Sequence, residues 1–223
     1  MRTLRAIAGR EAARIADAGG LRVALPAHGA VLLAFMMSWG RGVGAPLIDG
    51  FSVYEQLHVV RWAVLLCLLP WAAARCVAPE RGNGAVRMAA MLGIRPSLLL
   101  TARIGVVSMA MLLVTAAGVP LVVIAQRMSD TAAGRVLTDE IAIVGFALAV
   151  AVTVVALQQI WASRVAVWLS ATALSLAVAA FARSLTWTMP ALGVAAAALA
   201  AVSSALLALR SDAALRYLDE TAA

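Results

Sequence analysis

The sequence predicts an all-α integral membrane protein with six transmembrane helices, an N-terminal amphipathic interfacial helix and one short helix between spans two and three. Three observations support this. Hydrophobic residues make up 64% of the 223-residue chain and charged residues only 13%, with a mean hydropathy of +0.95, well outside the range of soluble domains. Apolar stretches with no charge near their centres, long enough to cross a bilayer, recur six times along the chain. The formal charge of +7 is carried by arginine alone, since the chain has no lysine, and the arginines concentrate in alternate connecting segments.

In chain order, residues 1–22 form the first unit. Leu4, Ile7, Ala8 and Ile15 fall on one side of a helix over 1–20, and Arg2, Arg5, Arg10 and Arg14 on the other, with Glu11 between them. Such a helix lies flat on a membrane surface. It is too polar to be the apolar core of a cleaved signal peptide, so no targeting segment is expected. Gly19 and Gly20 end it.

The membrane domain covers 23–209. A charge at the bilayer centre costs about 2.5 to 3.5 kcal/mol on insertion scales, so charge-free windows locate the spans. They run over 23–39, 59–77, 98–125, 141–162, 165–181 and 189–209. Arg61 and Arg75 sit at the two ends of the second, where each is expected to snorkel toward its own surface, and Pro70 is expected to kink it. Gly118 and Pro120 lie near the far end of the third. Residues 210–223 form a tail.

Short loops rich in basic residues stay in the cytoplasm. With the N-terminus inside, inner segments hold thirteen of the eighteen arginines and outer segments five. Both termini and the second connecting segment are therefore predicted to be cytoplasmic. The outer loops, about 40–58, 126–140 and 182–188, are too short to fold as domains.

The longest polar interruption is 79–103, PERGNGAVRMAAMLGIRPSLLLTAR. Pro79 suits a first helical turn, and Glu80 suits the positive end of the helix dipole. Gly93 and Pro96 mark the stop. Met88, Met91 and Leu92, three and four apart, form an apolar face, and Arg81, Arg87 and Arg95 stand at the ends. An exposed apolar face between two spans is shaped to press on a partner.

This segment resembles the cytoplasmic coupling-helix motif of the type-two ABC transporter permeases. That motif runs Glu-Arg-x-x-Gly-Thr, a leucine-rich helix, a Pro, and a Lys where the next span begins. Glu80 and Arg81 match its opening pair, Gly84 its Gly, and Arg103 its Lys, while Ala85 and Gly93 replace its usual Thr and Pro. Gly118-Val119-Pro120-Leu121 is similar to the small-residue and Pro stretch of the family's third span, and Ser163-Arg164 to its tight inner turn.

The resemblance implies a permease subunit of an exporter in a bacterial inner membrane. It would pair with a second permease, identical or related, and two ABC ATPase subunits would bind the ATP and Mg. Glu80, Arg81, Gly84, Arg87, Met88, Met91, Leu92 and Arg103 are then the docking residues within a coupling loop of 79–97. Arg5, Arg10, Glu11 and Arg14 belong to the interfacial helix, which in this family also touches the ATPase.

Several classes are set aside. A P-loop requires a lysine, so ATP hydrolysis within this chain is not expected. The arginines are scattered and lack interleaved aromatics, which argues against nucleic acid. His28 and His58 read as helix-end residues, Cys67 and Cys76 as buried free thiols, and no metal spacing links them. No Asp or Glu lies inside any window, which disfavours a proton- or sodium-coupled carrier. Ser108, Thr115, Thr153, Gln158, Gln159, Thr172 and Ser175 are expected to hydrogen-bond between helices. The competing readings are a membrane scaffold or assembly subunit, an ABC permease of the cell-division or macrolide-efflux type, and a secondary transporter or channel. Permeases of the second kind carry a large extracytoplasmic domain that this chain lacks.

Overall fold

A computed structural model of the chain describes residues 2–17, 19–40, 51–76, 96–160 and 163–185. Every regular element among them is helical: α1 (Arg2–Asp17), α2 (Gly20–Gly40), α3 (Val53–Cys76), α4 (Pro96–Ala116), α5 (Val119–Ser129), α6 (Ala133–Ile160) and α7 (Arg164–Leu185). Four stretches are long and apolar enough to cross a membrane: Gly20–Trp39, Val53–Cys76, Leu98–Ser129 and Ala133–Gln158. α7 covers the fifth window, with Arg164–Ala177 as a shorter apolar stretch. The described residues thus carry four such spans where six were expected. The sixth window, 189–209, the proposed coupling helix and the tail lie outside the described residues.

Helix α3 organises the bundle and contacts each of the other six described helices. Gly20 fixes the pairing of α2 with α3. A Cβ there would stand 2.7 Å from the Arg75 Cβ and 3.1 Å from the Ala72 carbonyl, so the first turn of α2 lies against the last turn of α3. The two helices are therefore antiparallel. Gly19 takes the left-handed φ of 72° between α1 and α2, the conformation glycine adopts without strain.

α1 is more firmly held than a helix resting on lipid. It packs along α4 and touches α2 and α3, and Ile15 is buried in the main core. Arg10 is exposed, whereas the side chains of Arg5, Glu11 and Arg14 lie outside the described set.

Two apolar cores stack along the bundle. The larger gathers Leu65, Leu69, Val107, Met111, Ile143, Phe146, Val150 and Val154 from α3, α4 and α6. The smaller, toward the other end, joins Leu32, Tyr54, Leu57, Val122, Ala125 and Val136. The outer faces carry exposed Val31 and Leu33 on α2, Met109 and Leu113 on α4, Ile141 on α6 and Leu169 on α7, as a lipid-facing surface requires.

Three helix boundaries depart from the charge-free windows. α3 starts at Val53 and α6 at Ala133, both well before the windows at 59 and 141. The third span is two helices, broken at Ala117 and Gly118. α5 closes on Asp130, whose left-handed φ of 48° lets its N–H reach the Gln126 carbonyl. Asp139 and Glu140 therefore sit within the helical span Ala133–Gln158, contrary to the expectation that no carboxylate lies inside a span. α3 continues through Pro70, and Cys67 is exposed while Cys76 is buried, both free thiols.

Candidate functional site

Between the two apolar cores lies a cluster of buried ionisable side chains. On α3, Tyr54, His58 and Trp62 follow one another at four-residue spacing and line one face, and Arg61 lies beside them. On α6 the adjacent Asp139 and Glu140 diverge by about 100°, so that each meets a different part of α3. The site is thus built by two helices, with a third contribution from the break between α4 and α5.

Its strongest element joins Arg61 and Glu140. Arg61 Nη1 donates to Glu140 Oε1, and Nη2 donates to Oε2 at 3.0 Å. Nη2 also donates to the Thr115 carbonyl at 3.0 Å, linking α3, α4 and α6 through one guanidinium. The Arg61 side chain is 0% exposed and Glu140 21%. Arg61 does not snorkel, because a bidentate carboxylate and a carbonyl satisfy it at depth.

Beside it, Tyr54 Oη donates to Asp139 Oδ2 at 2.7 Å. His58 Nε2 lies 4.0 Å from the same oxygen but accepts the Trp62 indole N–H at 2.8 Å. An indole nitrogen only donates, so neutral His58 must carry its hydrogen on Nδ1, which has no hydrogen-bond partner. Trp62 in turn packs on Phe146 of α6 with ring centroids 5.3 Å apart. Tyr54 stacks on His58 at 5.8 Å.

His28 of α2 completes the group. Its Nδ1 lies 2.7 Å from the Val114 carbonyl, which can only accept, so Nδ1 is the protonated nitrogen. This bond has a local cause. Gly118 N–H turns to the Thr115 carbonyl at 3.2 Å, which leaves the Val114 carbonyl without its helical donor. Pro120 likewise has no N–H to offer Ala116. His28 and Arg61 thus cap the end of α4 from two other helices. A Cβ at Gly118 would lie 2.9 Å from His28 Cε1, 2.9 Å from Leu32 Cδ1 and 3.1 Å from Arg61 Nε, so only glycine admits this approach.

Both histidines lie within helices and are buried, where the sequence placed them at helix ends. At the rim, Glu55 accepts from Arg135 at 2.9 Å and closes the cluster toward the end of the bundle opposite α1. Chemically, the cluster holds one arginine against two carboxylates. Glu140 takes the arginine, and Asp139 is served by a phenol with a histidine just beyond hydrogen-bond range. This arrangement holds three helices together. Among the described residues no group of His, Cys, Asp or Glu is arranged to hold a metal ion.

Of the residues singled out in the sequence, Arg103 is buried inside the bundle on α4. Glu80, Arg81, Gly84, Arg87, Met88, Met91 and Leu92 lie outside the described residues. The hydroxyls of Thr115 and Ser175 bond back to the Leu112 and Ala171 carbonyls of their own helices, not between helices as expected. No protein-family model, curated protein or solved structure matches this chain.

Proposed function

We propose that this chain is the membrane-spanning permease subunit of an ATP-driven transporter, an exporter, whose ATP is hydrolysed by a separate subunit. One observation carries the reading. Glu80, Arg81, Gly84 and Arg103 keep the spacing of a coupling segment, and that segment joins the end of α3 to the start of α4. Motion applied to 77–95 acts directly on these two helices.

The bundle suits such a role. α3 touches all the other described helices, so a displacement of its last turn reaches each of them, and α1 rides on α4 at the same end. The Arg61 cluster clasps α3, α4 and α6 farther along, which provides a fixed point about which the α1 end can move. The tagged chain should be purified from its own host's membranes in mild detergent. Recovery of a P-loop protein that hydrolyses ATP is the expected result, and repeated purification without one would contradict the proposal.

A second reading, a proton-coupled carrier, is favoured by Asp139 and its Tyr54 and His58 neighbours, buried between apolar helices. The two part on energy source. Proteoliposomes holding this chain alone would accumulate substrate under a pH gradient only if the second reading held.

A further inference from the structure

We propose that the cavity between the last turns of α3 and the first turn of α7 binds a phosphate group, that of an anionic lipid in the leaflet at the α1 end of the bundle. The cavity measures about 320 Å³ and is lined by Trp71, Ala74, Arg75, Arg164, Val165 and Trp168. That is the lower end of the range for ligand sites, room for a headgroup rather than a large molecule.

Its lining asks for an anion. Arg75 and Arg164 come from helices far apart in sequence and line the same space, and neither is ion-paired with a carboxylate among the described residues. The contact recorded for Arg75 is with the Trp71 ring, 5.6 Å from its centroid. Two positive charges bordering one cavity favour an anion between them. Arg164 also opens α7, so the positive end of that helix dipole faces the same region.

Location selects lipid over free phosphate. Arg75 sits at the last turn of α3, against the start of α2, so the cavity lies where apolar spans meet the polar boundary. Tryptophans at a membrane boundary would by themselves be an ordinary aromatic belt, but a belt needs neither a cavity nor two arginines bordering it. On α7, Val165 is 58% and Leu169 54% exposed, giving acyl chains an apolar track that leads away from the cavity. Basic pockets between spans at a membrane surface are suited to anionic headgroups.

The test uses the full chain, purified in neutral detergent and titrated in native mass spectrometry with phosphatidylglycerol, with phosphatidylcholine, and with inorganic phosphate. One phosphatidylglycerol should bind in preference to phosphatidylcholine and resist millimolar inorganic phosphate. R75Q/R164Q should weaken it about 25-fold, because each basic residue near a membrane surface contributes about fivefold. R75Q and R164Q alone should each weaken it about fivefold. R127Q, an exposed arginine on α5, should leave binding unchanged. If R75Q/R164Q does not fold, as judged by its melting temperature, the single variants decide the matter. Wild-type affinity in the folded variants overturns the site. Inorganic phosphate that binds alone and displaces the lipid overturns the lipid assignment.

Discussion

The Arg61 guanidinium meets both carboxylate oxygens of Glu140, a residue 79 positions along the chain, and shares Nη2 with the Thr115 carbonyl. Removing one member of a buried pair leaves the other charge uncompensated, which costs about 3 to 5 kcal/mol. R61M and E140L are each expected to lower stability by that order. The double variant R61M/E140L should be less damaged than the sum of the singles, with a coupling of about 1 to 3 kcal/mol. Denaturation in detergent measures all four corners of the cycle, and additive effects would show that the pair is not coupled.

Gly118 is fixed by its neighbours rather than by its backbone. A methyl group there would sit 2.9 Å from both His28 Cε1 and Leu32 Cδ1. Overpacking of this kind costs about 1 to 3 kcal/mol, so G118A should lower the melting temperature. Gly105 has nothing within 4 Å of its Cβ position, and G105A should be neutral or stabilising by about 0.5 to 1 kcal/mol. Equal effects of the two would remove the steric argument.

The start of α3 is set by a capping box. Ser52 N–H donates to Glu55 Oε2 at 2.9 Å, and Glu55 N–H donates to Ser52 Oγ at 3.3 Å. S52A is expected to cost about 1 kcal/mol, within the range for lost helix caps. R135A removes a rim ion pair whose arginine is 58% exposed, and exposed pairs contribute only about 0 to 1 kcal/mol. S52A should therefore be the more damaging of the two in the same thermal melt.

These residues show what the sequence made legible. Membrane character, the helical class, the ranges of α2 and α7 and the start of α4 follow from apolar windows, whose length a bilayer dictates. The starts of α3 and α6 did not, because Arg61 and Glu140 were used to set the limits of the second and fourth windows. Each was read as a solvated boundary, although each is the other's partner inside the bundle. Window-based reading treats every charge as unpaired, and long-range pairing is what a single sequence hides. A local signal was available at Ser52-Val53-Tyr54-Glu55, whose capping-box pattern marks a helix start seven residues ahead of the window. His28 had none, since its role depends on a carbonyl 86 positions away.

Topology is open to a separate check. Thirteen of eighteen arginines face inward if the N-terminus is cytoplasmic. In a variant with Cys67 and Cys76 replaced, single cysteines at Asn83 and Arg216 should react with an impermeant thiol reagent only in inside-out vesicles. A cysteine at Arg127 should react only from the other side. Labelling of Asn83 and Arg127 from the same side would reverse the arrangement of α3 to α5 proposed above.

The proposed docking of an ATPase on 79–97 is tested by M88D/L92D. Burying one such side chain contributes about 1.5 to 3 kcal/mol, so two aspartates should abolish docking, whereas E80K should weaken it less. Membrane insertion of the variant and ATP turnover in the purified assembly are the two readouts. Normal insertion with loss of the ATPase and its turnover is the predicted result. An ATPase that stays bound, with turnover unchanged in M88D/L92D, would contradict the account.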